Sequence, residues 1–144
     1  MKTGDNMRFK ILNDINDEIR DLRVRTFVIG RGVPEEIELD GKDPYLLHFC
    51  IYEDEKLLAY LRAEDIGSIL HIGRVCVEES LRKQGLGRKL LDFLFQYAID
   101  NGFSAVELSA VDTAVGFYEK LGFVAEGDYY PETGVPHIYM KKEL

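Results

Sequence analysis

The chain has 144 residues, 46% apolar and 31% charged, a length and balance typical of one globular domain, so we expect a single domain over residues 1–144. Its 26 acidic against 18 basic side chains give a formal net charge of -8, which disfavours binding to nucleic acid or anionic membranes through overall electrostatics. No apolar run approaches the roughly 18 residues of a membrane-spanning helix, and the polar start lacks the apolar stretch of a secretory signal. A cytoplasmic protein is expected.

The cysteines and histidines do not predict a metal site. Cys50 and Cys76 each lie in a strand-like apolar run, which favours buried free thiols over a redox pair. His48, His71 and His137 are far apart in the sequence and lack the spacing of metal ligands.

The first half of the chain predicts one helix, one loop and four strands. A strand is expected over residues 8–12, and the apolar residues of 15–29 recur close to every 3.6 positions, which predicts an amphipathic helix capped near Asn13 or Asn16. Residues 30–44 contain three glycines and two prolines, and favour a loop with at most one helical turn. Residues 46–52 and 57–63 predict a β-hairpin, which residues 69–77 extend to an antiparallel meander.

The loop over residues 30–44 is rich in acids and has two interpretations. It is either a solvated surface loop or a lid over a substrate site, whose carboxylates attract a cationic acceptor. The acids concerned are Glu35, Glu36, Glu38, Asp40 and Asp43.

The second half of the chain alternates between helices and strands. Residues 82–101 follow helical spacing and end at Asn101-Gly102 as a C-cap does, and residues 113–121 predict a helix stopped by Gly122. Residues 105–109, 123–129 and 135–141 predict strands. The expected fold class is α/β (α+β), with a central mixed, mostly antiparallel sheet of about six to seven strands and flanking helices.

The segment RKQGLGRK, from Arg82 to Lys89, joins a predicted strand to the long helix. It contains four basic residues, no acid, and two glycines. Unpaired N–H groups and the macrodipole at a helix N-terminus suit a phosphate group. The segment lacks the Ser or Thr of a Walker A loop and the third glycine of a dinucleotide fingerprint, so neither of those loops is present.

What remains, Arg82-x-x-Gly85-x-Gly87, resembles the pyrophosphate loop of the GNAT superfamily of acetyl-CoA-dependent N-acetyltransferases. About thirty residues later, the segment AVGFYEKLGF, from Ala114 to Phe123, is similar to the superfamily's second signature, A-x-x-F-Y followed by x-K-x-G-F. The order and spacing of the two signatures match, and the resemblance covers nearly the whole chain. Shorter stretches such as VPEE at residues 33–36 resemble a group of small bacterial GNAT proteins, mostly without an assigned substrate.

The resemblance implies that the strands at 69–77 and 105–109 run parallel but splay apart, and that the pantetheine arm of acetyl-CoA fills the gap like an added strand. The residues implied to bind the cofactor belong to the signature strand, the loop and the second helix: Val75, Cys76, Val77, Arg82, Lys83, Gln84, Gly85, Leu86, Gly87, Arg88, Ala114, Phe117 and Tyr118. Many relatives have Asn or Gln where this chain has Val111, so one polar contact to the arm is lost or supplied otherwise.

Tyr118 corresponds to the superfamily's tyrosine, which protonates the departing CoA thiolate. A phenol suits this role because it keeps its proton at neutral pH and can donate it to a developing anion. The alternative is a core aromatic side chain, as expected for Phe117 beside it.

The amine acceptor must lose a proton before it attacks, and His71 lies where several family members carry a glutamate base. Strand alternation is expected to place His71, Gly73, Val75 and Val77 on one face, with the imidazole in the cleft. A surface or packed histidine, or a chain of waters acting as base, remains an alternative. Weaker base candidates are Glu79, His48 and His137, and Arg74, on the opposite face of the strand, is a candidate structural anchor.

The resemblance therefore implies an acetyl-CoA-dependent N-acetyltransferase that passes an acetyl group directly to a primary amine of a small molecule or peptide, without a metal. The alternative is a non-catalytic acyl-CoA-binding regulatory module with the fold intact. A homodimer is compatible with the resemblance, because dimers are common among such proteins.

Overall fold

A computed structural model describes residues 6–144, so the first five residues of the predicted domain lie outside the described residues. The strands within this range are β1 (Met7–Leu12), β2 (Leu47–Glu53), β3 (Lys56–Asp65), β4 (Ile69–Val77), β5 (Ala105–Val111), β6 (Val124–Glu132) and β7 (Val135–Glu143). The α-helices within it are α1 (Asp17–Arg23), α2 (Glu35–Glu38), α3 (Leu86–Asp100) and α4 (Val115–Lys120). None of these described helices is long and apolar enough to cross a membrane.

The seven strands form one sheet in the order β1-β2-β3-β4-β5-β7-β6. All neighbours are antiparallel except β4 and β5, which are parallel and pair only over residues 69–71 and 105–107. Beyond this point the two strands diverge, because β4 continues to Val77 and β5 to Val111 without further pairing. The predicted mixed sheet, the meander of β2 to β4 and the splayed parallel pair are confirmed.

The boundaries of α1 and α3 follow from the local sequence. Asn16 caps α1, since its side chain accepts a hydrogen bond of 2.9 Å from the Ile19 N–H. The rest of the predicted helix, Val24–Ile29, continues as a π-helical turn. Helix α3 begins at Leu86 rather than at residue 82, because Gly85 has a φ of 81° and breaks the helical path before it.

Strand β4 contains a bulge at Arg74. This residue has a φ of 57°, in the left-handed region. Gly73 pairs with Arg62, whereas Cys76 pairs with Tyr60, so three steps along β4 match two steps along β3. The extra residue reverses the alternation of side chains between the two faces of the sheet.

The bulge corrects the predicted orientation of His71. Val75 and Val77, which follow the bulge, pack against the core on the α3 side, whereas Cys76 belongs to the core on the α1 side. His71 and Gly73 precede the bulge and therefore share the face of Cys76. The prediction that His71, Gly73, Val75 and Val77 lie on one face is wrong, since simple alternation does not hold through a bulge.

Apolar cores cover both faces of the sheet. On one face, α3 and α4 bury side chains against strands β2 to β5. On the other face, α1 packs Ile19 and Leu22 on Cys50 and Tyr60. Both cysteines are free and buried, as predicted, and burial raises the pKa of the Cys50 and Cys76 thiols to about 12.

Ion pairs fix much of the acidic segment, residues 35–43, to the body of the protein. Arg23 of α1 is completely buried, and its guanidinium lies 2.8 Å from a carboxylate oxygen of Glu38 and 2.8 Å from one of Asp43. Arg62 of β3 lies 2.7 Å from Asp40, and its hydrogen bonds hold the pKa of that carboxyl well below its usual value. These pairs join α1, the acidic segment and the sheet into one network.

The side chain of Arg74 connects the β4 bulge to this network. Its guanidinium donates hydrogen bonds to the main-chain oxygens of Ile37 and Glu38, at 3.2 and 3.1 Å. Its Nε lies 2.8 Å from the Glu38 carboxylate, an ion-pair contact without hydrogen-bond geometry. Arg74 thus anchors structure, as expected, but the predicted face is wrong. Its side chain reaches the same Asp40 carboxylate as Arg62, on the face of His71 rather than opposite it.

The lid interpretation of the acidic segment needs correction. Glu38, Asp40 and Asp43 are paired with the protein's own arginines and do not offer free charge to a cationic acceptor. Only Glu35 and Glu36, both exposed on α2, fit the picture of solvated acids. The segment is a fixed wall rather than a cation trap.

We expect the Arg23→Met substitution to lower the free energy of unfolding by about 3 kcal/mol, the lower end for a broken buried ion pair. It removes the buried cation between Glu38 and Asp43 and leaves each carboxylate with one remaining arginine, Arg74 and Arg62 respectively. Urea unfolding followed by circular dichroism measures the change. Arg20→Met is the matched control, since Arg20 is an exposed arginine of the same helix. Equal stability of the two variants would show that the network contributes little.

Candidate active site

The gap between the diverging ends of β4 and β5 opens into a cleft of about 1420 Å³. The loop before α3, the start of α4, the β6–β7 hairpin and parts of residues 25–33 and 37–42 complete its walls. Every site residue predicted from the sequence lines this cleft except Gln84, which is exposed on the loop. Among residues 6–144, no His, Cys, Asp and Glu side chains are grouped as metal ligands would be.

The unpaired strand edges within the cleft suit an extended ligand that carries amide groups. On the side of β4 that faces β5, pairing ends at His71, so the following residues up to Val77 have no β5 partner on that edge. Backbone N–H and C=O groups retain their need for hydrogen bonds, and a ligand with its own amides can satisfy them as an added strand does.

The loop of residues 82–85 leads into α3, and no side chain caps the N-terminus of that helix. Gly85 is the N-cap. The unpaired N–H groups of a 15-residue helix therefore point toward the loop, and no acid lies in the first turn. Arg82 donates a hydrogen bond of 3.3 Å to the Val77 main-chain oxygen, which fixes the loop to the end of β4, while Lys83 is exposed.

The two glycines of the loop have different physical roles. Gly85 provides the left-handed conformation, and a Cβ atom there would meet nothing within 4 Å. Gly87 allows a close approach to α4, because a Cβ atom would lie 3.1 Å from the Phe117 ring. Phe117 was expected in the core, but its side chain is 38% exposed and forms part of the cleft wall.

Tyr118 combines burial with access to the cleft. It is only 8% exposed, it packs edge-on against Phe117 and Phe123, and it also lines the cleft. Burial raises the pKa of Tyr118 to about 12. The hydroxyl therefore keeps its proton at neutral pH and is available as a donor.

His71 lies in the last pair of residues that β4 and β5 share, opposite Glu107. Its Nδ1 is 2.6 Å from Glu107 Oε2, and the other oxygen of that carboxylate accepts a hydrogen bond of 3.0 Å from the Tyr139 hydroxyl. The His71 side chain is 41% exposed and lines the cleft. Glu107 and Tyr139 thus form a chain of hydrogen bonds that ends at this imidazole.

The other base candidates are less suitable. His48 is fully buried, with Nδ1 2.5 Å from the Tyr60 hydroxyl and Nε2 2.8 Å from the Asp43 main-chain oxygen, and burial lowers its pKa. His137 is also buried, and its Nδ1 donates to the Val135 main-chain oxygen at 2.9 Å. Glu79 is exposed near the loop before α3.

Sequence reasoning missed Glu107 and Tyr139. A signal for Glu107 was present, since a carboxylate interrupts the apolar run Ala105, Val106 and Leu108 in a strand expected to be buried. Tyr139 gave no comparable signal, because tyrosine is common in strands. Val111 lines the cleft with an apolar side chain, as its sequence position implied.

Comparison with known proteins supports the same class of protein. A family model described as an acetyltransferase (GNAT) domain matches residues 15–144. The uncharacterized N-acetyltransferase YjcF of Bacillus subtilis is 32% identical over 123 residues, covering 85% of this chain and 88% of that protein. An acyl-CoA N-acyltransferase from Pseudomonas aeruginosa superposes with a TM-score of 0.84 at 31% identity, covering 94% of this chain and 99% of that one.

A third structure shares the fold. A Bacillus subtilis acetyltransferase solved in complex with CoA has the same fold, with a TM-score of 0.75 at 18% identity and coverage of 96% and 99% of the two chains. The fold, the cleft and the family match together define an acetyltransferase. The chain belongs to the GNAT acetyltransferase family. The prediction of an acyltransferase is confirmed, and the non-catalytic alternative is not favoured.

We expect Gly85→Glu to abolish acetyl-CoA binding in calorimetric titration, because a carboxylate at the open end of α3 repels the pyrophosphate. Gly102→Glu is the matched control. Gly102 follows the other end of the same helix with a φ of 80°, and a Cβ atom there also meets nothing within 4 Å. Backbone strain is therefore equal in the two variants, and equal loss of affinity would contradict this position for the pyrophosphate.

Proposed function

We propose that this protein transfers the acetyl group of acetyl-CoA directly to a primary amine of a small molecule or peptide. One observation carries the proposal: a single cleft joins a helix N-terminus suited to pyrophosphate, unpaired strand edges suited to pantetheine, a protonated tyrosine and a histidine. Direct transfer is favoured because both thiols are buried and their pKa values are raised, so neither suits a covalent acyl-enzyme.

In this proposal the cofactor is held mainly by main-chain groups. The N–H groups at the start of α3 bind the pyrophosphate, and Lys83 and Arg88 add positive charge. The backbone of residues 75–77 pairs with the pantetheine amides. The lack of a side-chain cap at Gly85 and the unpaired edge of β4 support these assignments.

The acceptor amine is protonated at neutral pH and must first lose a proton. We assign this proton to His71, whose Nδ1 is engaged by Glu107 and whose other nitrogen has no hydrogen-bond partner among residues 6–144. A general base of this kind must lie within hydrogen-bond reach of the proton that it removes. The open position of the imidazole on the cleft wall supports the assignment.

Bound acetyl-CoA supplies the activated acyl carbon, so that a C–N bond forms and the C–S bond breaks. Tyr118 then donates its proton to the departing sulfur. The second proton of the attacking nitrogen returns to the tyrosine oxygen, and the proton held by His71 passes to solvent. The balance is one amide, one CoA thiol and one released proton.

An acetyl-transfer assay with paired acceptors tests the proposed function. A polyamine, an aminosugar and a lysine peptide are each incubated with acetyl-CoA beside the matching hydroxyl analogue, and CoA release and product mass are followed. Amide products from the amines alone are expected. Acetylation of the hydroxyl compounds only, or of no amine in a protein that binds acetyl-CoA, would overturn the amine assignment.

Tyr118→Phe is expected to lower kcat by roughly 10- to 100-fold, the range that general acids commonly contribute, with acetyl-CoA affinity nearly unchanged. Steady-state kinetics and calorimetry measure the two quantities. Tyr97→Phe is the matched control, because it removes the hydroxyl of another tyrosine that packs against the same core. Unchanged turnover in Tyr118→Phe would remove this hydroxyl from the mechanism.

A further inference from the structure

We propose that Glu107 and Tyr139 are positioning residues that hold His71 in the one tautomer whose Nε2 can take a proton from the acceptor. This inference rests on the proposed function, in which His71 is the base. It adds the two residues that prepare the base before any ligand is bound.

Glu107 selects the tautomer. Its Oε2 lies 2.6 Å from His71 Nδ1, and an ionised carboxylate can only accept a hydrogen bond, so Nδ1 must carry the proton. In the neutral ring Nε2 then has a free lone pair. In the opposite tautomer, the lone pair of Nδ1 would face a lone pair of the Glu107 carboxylate. Nε2 would then carry a proton and could not accept one from the amine.

Tyr139 holds the carboxylate itself. Its hydroxyl donates a hydrogen bond of 3.0 Å to Glu107 Oε1, and partial burial together with this bond raises the pKa of Tyr139 to about 12. The hydroxyl therefore remains a donor across the physiological range. With one oxygen bound to Tyr139 and the other to His71, the carboxylate cannot rotate away from the imidazole.

Other charged groups on this face do not compete for the ring. Glu64 is the β3 residue opposite His71, and Arg62 lies two positions before Glu64 on the same strand. Arg62 is engaged by Asp40, and Lys141, opposite Glu107 on β7, is paired with a neighbouring carboxylate. Within residues 6–144, Glu107 provides the hydrogen bond that the imidazole makes.

The tautomer can be read directly by nitrogen-15 NMR of the histidine rings in the unliganded full chain, at a pH where the imidazole is neutral. His71→Gln assigns the signals, since it removes one of three rings. We expect Nδ1 protonated and Nε2 unprotonated in the wild type. In Glu107→Gln the ratio of the two tautomers should shift roughly tenfold toward Nε2–H, because a charge-assisted hydrogen bond is lost.

Tyr139→Phe tests the second positioning residue. The Nδ1–H tautomer should persist, but its proton should exchange with water several-fold faster, because the Glu107 carboxylate is free to rotate. With an amine found in the assay above, kcat should fall while the KM for acetyl-CoA stays unchanged. Tyr129→Phe is the control, since it removes an exposed hydroxyl from the neighbouring strand β6.

Two results would overturn the inference. One is a wild-type His71 protonated at Nε2, and the other is an unchanged tautomer ratio in a folded Glu107→Gln variant. If Tyr139→Phe behaves like Tyr129→Phe, Tyr139 has no positioning role. The NMR measurement needs no acceptor, so its failure leaves acetyl transfer standing, and a failed transfer assay leaves the tautomer result intact.

Discussion

The cleft of this protein depends on the point at which β4 and β5 stop pairing. Three residue pairs hold the two strands together, and beyond them the main-chain groups of both inner edges lack a strand partner. Such groups keep a strong demand for hydrogen bonds, so a gap of this kind persists only where water or a ligand can enter. The gap thus offers an extended row of main-chain hydrogen-bonding groups, which side-chain changes along the strands alter little.

The bulge at Arg74 couples this gap to the buried ion network. A non-glycine residue with a φ of 57° is costly unless its surroundings hold it in place. The Arg74 side chain donates three hydrogen bonds to the acidic segment and forms ion pairs with Glu38 and Asp40. Glu38 in turn is bound by the buried Arg23. Buried ion pairs add little net stability compared with apolar packing, but each member requires its partners in one arrangement. The network therefore specifies where the wall of the cleft lies.

Local patterns in the sequence predicted most of the fold. Periodicity and turn residues located the seven strands and the main helices, because each of these elements buries a regular stripe of apolar residues. The bulge was not predictable, since Arg74 carries no sign of a left-handed conformation. The pairing of Glu38, Asp40 and Asp43 with arginines from α1, β3 and β4 was equally hidden. It depends on contacts between residues distant in sequence, which composition and spacing do not encode.

In the candidate site, too, features that are local in the sequence were predictable and features that depend on distant contacts were not. The loop before α3 was recognised because its glycines and basic residues follow one another in the chain, and the cleft contains all but one of the residues predicted for it. Glu107 was overlooked because its meaning comes from a neighbour on another strand. Residues that form a site from neighbouring strands can be recognised in the sequence only where they also lie close together along the chain.

The sheet also separates the two groups that the proposed reaction uses for proton transfer. Tyr118 belongs to the core on the α3 and α4 face of the sheet, whereas His71, which precedes the bulge, faces the opposite side together with Glu107. The proposed proton donor and the proposed proton acceptor therefore lie on opposite faces of one gap. In the proposed reaction, the first amine proton leaves on the polar face to His71, and the sulfur is protonated from the apolar face by Tyr118, which regains a proton from the nitrogen.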